Sequence, residues 1–240
     1  MNTNLKKKLE VALAAAETDW KADVGEHRRE AGGGLDKIFK ESGWSSLGCP
    51  KDPEDRVPDW CGLCIGSYLQ RAGMNKGFNS SFYHCLNVEA FFTYGRISNV
   101  NRARLDVDVK KVSGWVSIAD WHDEQGEVRE WWSRHGIKRE VEAGSPDIFA
   151  PGDVMLIDWM GRNEADHITM VRDWDPVTKQ LRTWEGNRKG LSYEGKPVRD
   201  AVVPRTYDLS NPKTLATIYG SGRLSILDFG FDAVRPRSRS

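Results

Sequence analysis

Among 240 residues there are only four cysteines, at 49, 61, 64 and 85, too few and too unevenly spaced to staple a fold. That excludes a disulfide scaffold and predicts a protein that folds reduced. Neither sign of charge is in excess: 35 Lys and Arg stand against 35 Asp and Glu, so no net field draws the chain to nucleic acid or to an anionic membrane. No apolar run reaches the roughly eighteen residues of a membrane-spanning helix. Internal repeats and low-complexity linkers are missing as well, so one domain with an N-terminal addition is the simplest partition.

The first twenty residues, MNTNLKKKLEVALAAAETDW, imitate a secretory signal, with three lysines ahead of an Ala-rich run. Glu10 breaks that run too early for a signal core, while Leu5, Leu9, Leu13, Ala16 and Trp20 recur at helical spacing. The expectation is an amphipathic helix, synthesis in the cytoplasm without a signal peptide, and delivery by other machinery if the target lies outside.

The first helix is predicted over 3–30, ending at the three glycines 32–34, and a second over 35–42. Residues 43–58 read as loop. A third helix begins at Cys61 with Asp59 as its N-cap, and Cys61, Cys64, Ile65, Tyr68, Leu69 and Ala72 share its apolar face. Further helices are expected over 81–94 and 127–135. Strands are expected over 153–159, 167–174, 181–186, 201–207 and 223–229. Helices followed by an antiparallel sheet give an α+β class. The domains are then a helical extension over 1–45, a catalytic domain over 46–232 and a basic tail over 233–240.

The stretch DWCGLC admits three chemistries for Cys61. W-C-G-x-C looks like a thioredoxin redox pair, but a polar loop precedes it where that fold has a buried strand, and no proline follows between 59 and 145 to serve as its cis-proline. A zinc site wants a second close pair of ligands, and Cys49, His84 and Cys85 make a poor one. No metal or other cofactor is expected. The third chemistry is a lone nucleophile, for which a helix N-terminus and a nearby imidazole stabilise the thiolate.

The imidazole is sought among five histidines. His27, His122 and His135 lie in charged surroundings and His84 on a half-buried helix, whereas His167 opens a strand. A hairpin turn centred on Val177 would pair 169 with 185 and 167 with 187, placing His167, Glu185 and Asn187 on one face. A slip of one residue would separate them, so the chemistry constrains the register. Trp174 and Trp184 fall on the opposite face with Ile168 and Met170. Of the ten tryptophans, those at 115, 121, 131 and 132 are expected to pack the middle region rather than offer a glycan surface. Asp153 reads as a structural turn residue.

Four short motifs, WCGLC, GDVMLI, HITMVRDW and TWEGN, occur in that order between 60 and 187. In them the chain resembles a CHAP domain, the cysteine, histidine-dependent amidohydrolase and peptidase family of the papain-like, NlpC-type group. The resemblance implies a papain-like fold, with Cys61 as nucleophile, His167 as general base, Glu185 as its orienter and Asn187 as further polar support. It also implies a peptidoglycan peptide as substrate, cleaved as an amidase or endopeptidase by a phage lysin or an exported antibacterial toxin; the alternatives are a non-catalytic binding module on the same fold and a Cys61–Cys64 thiol redox protein. A toxin would have an immunity protein and a secretion apparatus as partners. Trp60 is expected to line the cleft, and the backbone N–H of Cys61 to hold the oxyanion. Cys64 stands where the family has an aromatic or aliphatic residue, and residues 85–145 match none of its motifs.

Overall fold

The computed structural model describes residues 3–42, 48–52, 54–74, 85, 88, 92 and 131–224. The expected helix over 81–94 therefore lies outside the described residues except at 85, 88 and 92, which are helical, and so do His84, Trp115, His122 and Trp121.

Helix α1 (Thr3–Lys21) buries Leu9, Ala12 and Ala16, with Leu13 and Trp20 partly covered beside them. It ends nine residues before the position expected from sequence. Asp23 adopts a left-handed backbone at φ 56°, and the chain leaves the helix to pair with the sheet. Val202 N–H donates to Val24 O at 2.9 Å, Glu26 N–H to Asp200 O at 3.0 Å, and Gly25 bridges Ala201. Those backbone partners replace the ones that more helix would have supplied. Helix α2 (Gly34–Glu41) and helix α3 (Cys61–Arg71) follow. Gly73, at φ 69°, stops α3, and Met74 N–H closes back on Leu69 O at 2.8 Å.

Strands β1 (Trp131–Ser133), β2 (Val154–Ile157), β3 (His167–Asp175), β4 (Gln180–Leu191), β5 (Pro197–Asp208) and β6 (Ile218–Gly222) form one antiparallel sheet in the order β1-β6-β2-β3-β4-β5. Helix α4 (Arg134–Glu142) lies between β1 and β2, and α5 (Pro212–Thr217) precedes β6. The sheet is covered on both faces. Val154, Leu156, Ile168, Met170 and Trp184 pack with α1, α2 and α3, while Met155, Ile157, Val171 and Leu181 pack with Ile137 and Val141 of α4 and Leu215 of α5. This explains why β2 reads as unbroken Val-Met-Leu-Ile rather than alternating. The class is α+β, with N-terminal helices on a C-terminal antiparallel sheet. Helices α1 and α2, in the segment read as an N-terminal extension, share one core with α3.

Three departures from the sequence reading have local causes. The register between β3 and β4 shifts between Val171 and Asp173, which reverses the alternation. Trp184 stays with Ile168 and Met170, but Trp174 crosses to the other face and meets Phe149 edge-on at 5.3 Å. In place of a helix over 127–135, residues 131–133 form a strand and α4 starts at Arg134 behind Ser133, whose hydroxyl accepts from Gly136 N–H at 3.5 Å. The last strand lies at Ile218–Gly222 rather than over 223–229, of which 225–229 fall outside the described residues. Its glycines hide a strand from a propensity reading, yet packing requires them: a Cβ at Gly220 would stand 2.1 Å from the Trp131 ring and one at Gly222 2.2 Å from that of Phe92. Among the described residues no helix is long and apolar enough to cross a membrane.

Candidate active site

Cys61 occupies the first turn of α3, where its own N–H has no intrahelical acceptor and the helix dipole favours negative charge. Asp59 does not cap the helix. Trp60 is the N-cap residue and makes no side-chain capping bond, since its indole is a donor only, and the Asp59 carboxylate is turned to Asn187, whose Nδ2 donates to its Oδ1 at 3.2 Å.

His167 starts β3 directly after a loop that two carboxylates shape. Asp166 accepts from the N–H groups of Trp159 and Met160 at 3.1 and 3.0 Å, and Asp158 from those of Arg162 and Asn163 at 3.0 and 2.9 Å. The imidazole is 4 % exposed, and its Nε2 lies 3.2 Å from Glu185 Oε2. With Nε2 so engaged, Nδ1 is the ring nitrogen left over, and Cys61 is near enough to the ring to raise its pKa.

Glu185 is fully buried in the middle of β4, paired with Thr169 of β3 in the register that a turn at Val177 gives. Burial alone would neutralise it. Its Oε1 accepts from Thr183 Oγ1 at 3.1 Å and from the Tyr207 hydroxyl, while Oε2 faces His167 and the Arg188 guanidinium at 3.4 Å. Burial pushes its pKa up, but His167 and Tyr207 outweigh that and hold the carboxyl below its usual range. For His167, burial opposes the charged form, yet contact with Cys61 and Glu185 pushes the imidazole up to about 9. The arrangement favours a charged His167 beside an ionised Glu185.

Asn187 does not reach His167. It adopts a left-handed backbone at φ 59°, just past the last paired residue of the β3 ladder, and ties β4 to Asp59. Trp60, expected at the cleft surface, is fully buried. Its ring lies under Gly186 and its Nε1 donates to Glu26 Oε1 at 3.1 Å, so it supports the wall from behind. Cys64 is also fully buried: a Cβ on Gly186 would stand 2.7 Å from its sulfur, and burial raises its thiol far above the ordinary range. Both thiols of the Cys61/Cys64 pair are free.

Cys61 and His167 open together into a cleft of about 650 Å³. Its lining includes Asp55, Arg56 and Asp59 from the loop ahead of α3, and Asn187, Arg188 and Arg199 from β4 and β5. Trp159, also in the lining, stacks on Tyr207 at 5.7 Å and has the guanidinium groups of Arg188 and Arg205 over its ring at 4.6 and 5.4 Å. Three contributors escaped the sequence reading. Tyr207 was within reach of it, since it lies on the same face of β5 as Val203, the partner of Glu185, one strand beyond the hairpin considered. Glu26 and Arg29 carried no local signal, because only the return of the chain to β5 brings them to the cleft. Among the described residues no three His, Cys, Asp or Glu side chains converge to hold a metal ion.

Comparison with family models, curated proteins and solved structures gives no significant match.

Proposed function

We propose that the protein is a cysteine hydrolase of the papain-like, CHAP type, which cleaves amide bonds of bacterial peptidoglycan as an N-acetylmuramoyl-L-alanine amidase or an endopeptidase. The observation that carries the reading is the buried Cys61, His167 and Glu185 series at the floor of an open cleft. A thiol at a helix N-terminus, an imidazole held in the charged form and a fully solvated-out carboxylate behind it are the parts of an activated nucleophile. The substrate class is supported by the four ordered motifs and by a cleft wide enough for a peptide.

In this mechanism His167 takes the Cys61 proton, giving a thiolate and imidazolium pair. The thiolate attacks the amide carbonyl carbon, and the N–H of Cys61 stabilises the oxyanion. The C–N bond then breaks as the imidazolium gives its proton to the leaving amine. A water molecule, deprotonated by His167, attacks the thioester, and the sulfur leaves as the thiolate. Glu185 keeps the ring oriented and charged; Asn187 acts through Asp59 on the loop that leads into α3. The setting is a phage lysin or an exported antibacterial toxin, and for a toxin an immunity protein would cover the Cys61 cleft.

The test is incubation of purified peptidoglycan with wild type, Cys61→Ala and Cys64→Ala, with fragments identified by mass spectrometry. Cleavage lost in Cys61→Ala and retained in Cys64→Ala is expected, and the fragments name the bond. Absence of cleavage by wild type across several wall chemistries would sink the cell-wall reading.

A further inference from the structure

The segment between α1 and α2 lies more than thirty residues ahead of Cys61, yet it builds part of the same cleft: Glu26 and Arg29 are in its lining. Neither is an ordinary surface charge, since their side chains are 21 % and 17 % exposed and stand 3.5 Å apart as an ion pair. Glu26 is fixed from behind by the sheet, through its N–H to Asp200 O and the neighbouring bridge from Gly25 to Ala201. In front, its Oε1 receives the Trp60 indole N–H at 3.1 Å. Arg29 spans to the loop ahead of Cys61, donating from Nη1 to Asp52 O at 3.0 Å and Asp55 O at 2.9 Å, and from Nε to Glu26 O at 3.3 Å.

These contacts close a ring. From the edge strand β5 it runs to Glu26, from Glu26 to Trp60 and by way of Arg29 to residues 52–55, and the loop then returns to Trp60. Trp60 precedes Cys61 in the chain, and its ring touches Gly186, the residue between Glu185 and Asn187. An indole held at its N–H and along its far edge has no freedom to rotate, so the start of α3 is fixed relative to the strand that carries Glu185.

We infer that Glu26 and Arg29 are positioning residues for the Cys61 thiol, acting through Trp60 and the 52–59 loop. This rests on the hydrolase reading for its catalytic consequence, but its effect on the thiol can be measured without substrate. The N-terminal segment is then part of the active centre rather than a delivery element appended to it. A displacement of the thiol by a fraction of an ångström to one ångström is enough to lower the rate on the order of tenfold or more.

The experiment compares Glu26→Gln, which still accepts the Trp60 N–H, with Glu26→Met, which has similar length and cannot. Three readouts are taken: the rate at which iodoacetamide alkylates Cys61 at pH 7, followed on the peptide that carries it; the Trp60 indole N–H resonance; and kcat and KM on peptidoglycan. Glu26→Gln is expected within about twofold of wild type. Glu26→Met is expected to move the indole resonance and to lower both alkylation and kcat about tenfold or more with little change in KM. Equal alkylation and kcat in the Gln and Met variants would overturn the inference, whatever the indole resonance does. Should Glu26→Met fail to fold, Arg29→Lys takes its place, because one ammonium cannot serve both carbonyls that the guanidinium bridges; wild-type alkylation and kcat there would overturn it equally. If wild type cleaves no wall material, the hydrolase reading fails, while the ranking of alkylation rates still decides whether Glu26 and Arg29 position the thiol.

Discussion

Gly186 and Cys64 are packed so closely that a Cβ on the glycine would stand 2.6 Å from the Cys64 Cβ. Strand β4 can lie against the first turns of α3 only because residue 186 has no side chain, and that approach sets the separation between Cys61 and Glu185. Gly186→Ala must push strand and helix apart. A destabilisation of roughly 1–3 kcal/mol is expected from overpacking, with loss of Cys61 reactivity beyond what the stability change explains. Urea denaturation and iodoacetamide alkylation measure the two effects, and an unchanged unfolding midpoint would show that the contact relaxes freely.

The charge on His167 sets a pH dependence. Its folded pKa is raised from 6.5 to about 9, so the stability it contributes is fully present below pH 6.5 and is lost as pH rises through about 9. Wild type should therefore lose unfolding free energy between those limits relative to His167→Gln, as read from urea curves at each pH. On the proposed hydrolase mechanism, the same ionisation is expected to give the rate profile an alkaline limb near 9. Removing the negative charge behind the ring, in Glu185→Gln, is expected to move that limb to lower pH; a limb that stays in place would mean that Glu185 does not hold the imidazolium.

Tyr207 supplies one of two hydroxyl donors to Glu185 Oε1 and is 2 % exposed. Tyr207→Phe leaves that oxygen with Thr183 alone, for an expected loss of about 1–3 kcal/mol in stability. In turnover it should lower kcat more than KM, because the carboxylate, not the cleft surface, loses its restraint. Steady-state kinetics on the fragments released from peptidoglycan would show the split, and a change confined to KM would count against it.

Asn187 combines a backbone role with a side-chain role, and two substitutions separate them. At φ 59° alanine is strained by about 1 kcal/mol and glycine is not. Asn187→Gly keeps the turn and loses only the bond to Asp59, whereas Asn187→Ala loses both. Glycine is expected to be the more stable variant by about 1 kcal/mol; thermal unfolding of the pair decides it.

The shared face of His167 and Glu185 was legible because strand alternation and one turn position fix which residues share a face, and the pairing of Thr169 with Glu185 follows from them. The helices α1 to α3 were legible in number and place. What escaped depended on contacts between distant parts of the chain. Pairing of Val24 with Val202 ended α1 early, and a bulge beside Asp173 moved Trp174 to the other face. The rings of Trp131 and Phe92 made glycines acceptable in β6. Burial, which decides whether a tryptophan lines a cleft or supports it, has no local signature, and Trp60 was misplaced for that reason.

The position of β6 also bears on the order in which the described sheet can assemble. It is the last strand of the described sheet in chain order, yet it is inserted between β1 and β2. Until residues 218–222 have left the ribosome, the edge of β2, the neighbour of the His167 strand, has no partner on that side. Such late, long-range closure is slow. The described sheet around the His167 strand is thus completed by a segment that the ribosome makes after all its other strands.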